Sequence, residues 1–174
     1  LAPAAFISGT GQTVGYGLAL FSAWGWTRLS ERWEKRTVLM IAIGGFALTS
    51  GAAWWLYVPA NPYLQIVHRA LSMPLILGFW LMVQSMIADS CEYEESVQGA
   101  RHDGLIGACL TWSQKMGVSV AFVIGGLVLD LGGFDASMKG EQTTGSIQIM
   151  RVAMVTCPLA GMLVAAWVVR GYTL

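Results

Sequence analysis

Five apolar runs, each of 20 residues or more and parted by short polar segments, constrain this chain more than anything else in it. They fall at about 7–26, 37–58, 63–88, 104–131 and 147–169. A membrane-spanning helix needs about 20 consecutive, mostly apolar residues. Composition removes the alternative of a water-soluble core. Charged residues make up 11% of the chain and hydrophobic ones 55%, against about 25% charge in an ordinary soluble domain. There is too little polar surface here to face water, and the mean hydropathy is +0.59. The expected fold class is all-α: a polytopic transmembrane helical bundle of five spans, with 1–174 as a single transmembrane domain.

The formal net charge is zero, so nothing suggests nucleic acid. Cys91, Cys109 and Cys157 have neither metal-ligand nor disulfide spacing and read as buried small hydrophobes. Leu1 to Phe6 has no basic n-region, so the start is not a signal peptide. A chain that opens on Leu1 reads as a piece of a longer protein.

The first run is glycine-rich and carries Ser8, Thr10, Gln12 and Thr13, residues that suit close helix contact in lipid. The basic segment T-R-L-S-E-R-W-E-K-R then reads as a loop. The turn P-A-N-P makes the second and third spans antiparallel neighbours. Pro74 predicts a kink in the third, and His68 and Arg69 near its start predict snorkelling to the membrane edge.

Arg28, Arg32, Lys35, Arg36, Arg101 and Arg170 gather on one side. That side is expected to be cytoplasmic by the positive-inside rule, with the start of the chain outside and its end inside. Trp24, Trp26, Trp54, Trp55 and Trp167 fall where interfacial belts are expected.

Chemistry concentrates between Gln84 and Gly117. Asp89, Glu92, Glu94 and Glu95 precede Arg101, and Asp103 closes a charged hinge before the next span. Asp89, Glu92 and Arg101 form a possible ion-pair set at a cytoplasmic mouth, or else a solvated loop. Exposed pairs contribute only about 0–1 kcal/mol, a size that suits a gate.

Lys115 lies 12 residues beyond Asp103, roughly 18 Å deep at helical rise. An ammonium there costs about 2.5–3.5 kcal/mol on insertion scales, so it must face a carboxylate, a watery cavity or a ligand. Thr111 and Ser119 are one turn to either side and share its face. Such a stripe either lines an aqueous pathway or lets two helices approach.

Trp80 is roughly 13 Å below the charged exit, too deep for an interfacial anchor, and Gln84 shares its face. An indole beside an amide suits a sugar, whose C–H face stacks while its hydroxyls find donors and acceptors. The competing reading is a lipid-facing or core tryptophan.

The stretch M-I-A-D-S-C-E-Y-E-E-S-V-Q-G-A-R-H-D-G-L-I resembles the segment between helices ten and eleven of the glycoside–pentoside–hexuronide:cation symporters. That is the melibiose-carrier family of the major facilitator superfamily. The family pattern, close to A-D-x-x-[DE]-Y, then G-x-R, then Q-K-x-G, falls here on Ala88-Asp89, Glu92-Tyr93, Gly99, Arg101, Gln114-Lys115 and Gly117. L-S-E-R-W-E-K-R and the Arg151…Pro158 spacing are also similar to this family, although the former lacks the glycine common between its basic clusters.

The resemblance covers nearly the whole chain, as helices eight to twelve of twelve. It implies part of the C-terminal six-helix half of a two-bundle carrier with a central sugar cavity. It also implies that Trp80 and Thr111 line the sugar site and that Lys115 sits by the cation and sugar sites. Asp89, Glu92, Tyr93 and Arg101 are implied as the cytoplasmic gate. The coupling ion, Na⁺ or H⁺, would be held by acids of an N-terminal bundle outside these residues, with no other cofactor and no metal.

The function expected is cation-coupled symport of a sugar or glycoside by alternating access, in a bacterial cytoplasmic (inner) membrane. Its partners are the small-molecule sugar, membrane lipids and the N-terminal bundle. No enzyme chemistry is expected, because no span presents a metal cluster, a nucleophile–base pair or a phosphate loop. The alternatives are a carrier for a non-sugar amphiphile and a non-transporting scaffold or sensor with a carrier-like fold.

Overall fold

The computed structural model describes residues 4–57, 61, 63–99, 103–134 and 143–171. The chain forms five helices: α1 (Ala4–Arg32), α2 (Lys35–Leu56), α3 (Leu64–Gln98), α4 (Asp103–Leu131) and α5 (Thr144–Arg170). No strand occurs among the described residues. Lipid offers backbone groups no hydrogen bonds, so apolar runs of this length satisfy themselves as helices. Of the five, α2, α3, α4 and α5 are long and apolar enough to cross a membrane. The expected first span, α1, is not among these four. Its five glycines and its Ser8, Thr10, Gln12 and Thr13 dilute the apolar surface.

Two segments expected as polar loops are mostly helix. Only Trp33 and Glu34 part α1 from α2, so the basic segment is carried on two helix ends. The charged hinge is likewise helical from Asp89 to Gln98. That stretch contains no glycine or proline, and glutamate is a good helix former. Its hydroxyls turn back into the helix, Ser90 Oγ donating to the Met86 carbonyl and Ser96 Oγ to that of Tyr93. Gly99, at φ 69°, then ends α3, its N–H reaching the Glu95 carbonyl at 2.9 Å. This is the left-handed cap that glycine adopts without penalty.

The chain forms two compact units, one of Leu1–Ser85 with Val155–Leu174 and one of Met86–Met154. In the first, α1 lays a face of Ile7, Gly11, Gly15 and Ala19, all buried, along α3. Gly11 lies against the Arg69 stem, where a Cβ would be 3.5 Å from Arg69 Cγ, and Gly15 lies against Met73. The aliphatic stem of Arg69 is thus used in packing. Its neighbour His68 brings Nδ1 to 3.2 Å from Tyr57 Oη, with the rings edge-on. Packing of the Arg69 stem leaves its charged head free to follow the snorkelling expectation, while His68 also makes a contact within the unit.

On the α2 side, Leu75 fills the notch at Gly45. Trp26, expected in an interfacial belt, instead packs over Gly78 and donates Nε1–H to the Pro74 carbonyl at 2.9 Å. Interhelical hydrogen bonds in membranes average only about 0.6 kcal/mol, so this bond is a modest addition to the packing of the ring over Gly78.

At the far end, Arg36 Nη2 donates to the Arg170 carbonyl, placing a cation at the C-terminus of α5 where the helix dipole favours it. Arg28 stacks its guanidinium 4.0 Å from the Trp24 ring centre.

In the second unit, α4 closes with Gly132 and Gly133. The Gly133 carbonyl accepts from Ser146 Oγ at 3.2 Å. Thr143 caps α5, its Oγ1 accepting from the Ser146 N–H. None of the three cysteines is in a disulfide. Cys91 is half-buried, but Cys109 and Cys157 lie exposed, contrary to the expectation for all three.

Candidate functional site

Trp80 and Gln84 sit one turn apart on α3, in the first unit. Helical geometry sets them opposite Gly78 and Met82, two residues away on each side of the sequence. Gly78 is buried and Met82 is 3% exposed, whereas Trp80 is 40% exposed and Gln84 is exposed. The inward face of α3 is therefore taken up by helix packing, and the indole and amide are left on the outward face. Phe79 steadies the indole edge-on, with ring centres 5.7 Å apart.

Thr111 and Lys115 lie on α4 in the second unit, both exposed; α4 has no buried residue among those described. The hydroxyls flanking the lysine bond to their own helix. Thr111 Oγ1 donates to the Gly107 carbonyl at 2.8 Å and Ser119 Oγ to the Lys115 carbonyl at 3.0 Å. Each hydroxyl proton is thereby used, and each oxygen keeps acceptor capacity.

Asp89, Glu92 and Tyr93 share a face of the C-terminal part of α3, at i, i+3 and i+4. Asp89 is half-buried, and Glu92 and Tyr93 are exposed. Arg101, the expected cationic partner, lies outside the described residues.

The expected site residues thus fall into three helix-face sets: Trp80 with Gln84, Thr111 with Lys115, and the acids with Tyr93. Among the described residues, no three His, Cys, Asp or Glu side chains are grouped so as to hold a metal ion.

Sequence reading missed the Trp26, Pro74 and Gly78 cluster beside the Trp80 turn. The available signal was the buried glycine face of α1, with Gly11 and Gly15 four apart, which fixes the side of α1 turned to α3. Trp26 is 11 residues beyond Gly15, about three full turns on, and so shares that side.

A family profile described as MFS/sugar transport protein matches residues 4–174. The chain is also similar to an isoprimeverose transporter of Lactiplantibacillus pentosus, at 27% identity over 158 residues, covering 91% of this chain and 32% of the relative. It is 26% identical over 168 residues to an uncharacterized symporter of Synechocystis sp., covering 91% of this chain and 30% of that protein. The chain spans about a third of the length of these curated relatives. No solved structure gives a significant match.

Proposed function

The chain belongs to the MFS/sugar transport protein family, a family of multi-pass membrane transporters, and from that membership we propose that it serves cation-coupled symport of a sugar or glycoside by alternating access. The observation that carries the sugar reading is the outward face of α3. A tryptophan deep in an apolar helix stays 40% exposed beside an exposed glutamine, although the opposite face is tightly packed. An indole face with an amide one turn away offers both stacking and hydrogen bonding to a polyhydroxylated ring. The names of the two relatives, one a transporter of a sugar and the other a symporter, support substrate class and mode.

In this reading Trp80, Gln84, Thr111 and Lys115 contact the substrate, and Lys115 also senses the coupling ion. That ion is Na⁺ or H⁺, held by acids outside residues 1–174. The membrane is the bacterial cytoplasmic membrane, with the end of the chain on the cytoplasmic side.

The test uses the full-length carrier in membrane vesicles, with isoprimeverose and simple methyl glycosides as probes. Uptake should rise with an imposed inward Na⁺ or H⁺ gradient. Trp80→Ala should weaken sugar binding about tenfold, equivalent to about 1.4 kcal/mol. Uptake indifferent to both gradients would rule out symport, and failure of every sugar to compete would rule out the substrate class.

The same reading makes Asp89, Glu92, Tyr93 and Arg101 a cytoplasmic gate. Arg101→Ala is expected to alter turnover more than sugar affinity, because the pairs it would break are weak. A double-mutant cycle reads this directly. Coupling near zero between Arg101 and both Asp89 and Glu92 would make Arg101 an ordinary surface cation.

A further inference from the structure

We infer that Trp26 is a positioning residue for Trp80, acting through the packed middle of α3; this rests on the reading of Trp80 as a sugar platform. Residues 73–78 of α3 are seated from two helices at once. Met73 lies where a Cβ on Gly15 of α1 would come within 2.8 Å of its Cγ, and Leu75 lies where a Cβ on Gly45 of α2 would come within 2.7 Å of its Cδ2. Trp26 supplies the third contact. Its ring covers Gly78 so closely that a Cβ there would be 2.6 Å from Cδ2, and its Nε1–H holds the Pro74 carbonyl at 2.9 Å.

The position of this contact is what gives it leverage. Pro74 has no N–H, so the helical bond to the residue-70 carbonyl is absent and α3 is softest at this turn. In the helical ladder the Pro74 carbonyl faces the residue-78 N–H. Trp26 therefore grips both ends of the first complete turn after the proline. Trp80 is two residues further on, in the turn that directly continues the clamped one.

Rotation of that turn would carry the indole with it. With a Cα radius of 2.3 Å and a side-chain reach of about 6 Å, a rotation of about 20° sweeps the ring end by about 3 Å. In catalysis a misplacement of about 1 Å can already cost about a hundredfold in rate, and a stacking platform likewise depends on its position. A stacking platform on a proline-softened helix needs an external clamp, and Trp26 is placed to be that clamp. An interfacial anchor would instead give its N–H to headgroups or water.

The experiment uses the full-length carrier labelled with 5-fluorotryptophan, the Trp80 resonance being assigned by Trp80→Phe. Two variants perturb the clamp. Gly78→Ala drives a methyl into the Trp26 ring, and Trp26→Phe keeps a ring over Gly78 while removing only the N–H. The second guards against misfolding in the first. The Trp80 fluorine should shift and change its H₂O/D₂O isotope shift in both, and isoprimeverose affinity should fall about tenfold.

A Trp80 resonance unmoved in both variants, in protein inserted at wild-type levels, would overturn the inference whatever happens to affinity. A moved resonance with unchanged isoprimeverose binding would uphold the clamp and count against Trp80 as the sugar platform. The two readings therefore fail separately.

Discussion

Lys115→Met in the full-length carrier is expected to abolish accumulation of sugar against a gradient while the protein inserts at least as well as the wild type. Methionine keeps most of the side-chain volume and removes only the charge. The other charged residues of α4 are Asp103 and Asp130, near its two ends. They lie 12 and 15 residues from Lys115, about 18 and 22 Å along the axis. Neither is within reach of the ammonium, so its balancing charge must come from another helix or from the bound solutes.

Insertion of a mid-span lysine costs about 2.5–3.5 kcal/mol, so removal of the charge should ease insertion. Loss of transport in a better-inserting variant would separate function from stability. If Lys115 balances the acids that take up the coupling ion, its removal uncouples ion from sugar, and downhill flux outlasts uphill accumulation. Lys115→Arg should rescue poorly, because a planar guanidinium does not replace a compact ammonium. A Lys115→Met carrier that still concentrates sugar, with the cation dependence of the wild type, would make Lys115 structural.

The helices were legible in the sequence because lipid leaves an apolar run of this length one way to satisfy its backbone. Helix ends were less so. The Asp89–Gln98 segment looks like a loop by charge density, yet its end is set by Gly99, the first residue there suited to a left-handed cap. Charge density and helix termination are different signals, and here the glycine decides.

For the candidate site, spacing along one helix was informative: Trp80 with Gln84 and Thr111 with Lys115 follow from i, i+4 alone. Contacts between helices did not follow from spacing. Trp26 has the depth of a belt residue, and only the partner glycine at residue 78 tells packing from anchoring. Likewise, nothing local to His68 announces Tyr57, since the pair joins the end of α2 to α3.

Gly15 is the position where a single methyl should do most harm to the fold. A Cβ there would meet Met73 Cγ at 2.8 Å and the Arg69 carbonyl oxygen at 3.0 Å. The methionine end can swing away, but the carbonyl belongs to α3 itself and moves only if the helix does. Gly15→Ala should therefore destabilise the unit by about 1–3 kcal/mol, the usual range for overpacking, and Gly15→Leu should block assembly outright. Gly17, two residues on, has nothing within 4 Å of its would-be Cβ. Gly17→Ala changes helix propensity in the same direction without the clash and should be neutral or stabilising. Thermal unfolding of the detergent-solubilised full-length carrier compares the pair. Adding Met73→Ala to Gly15→Ala should recover only part of the loss, because it frees the side-chain contact and leaves the backbone one. Equal stability of Gly15→Ala and Gly17→Ala would mean that α1 does not pack on α3 through this face.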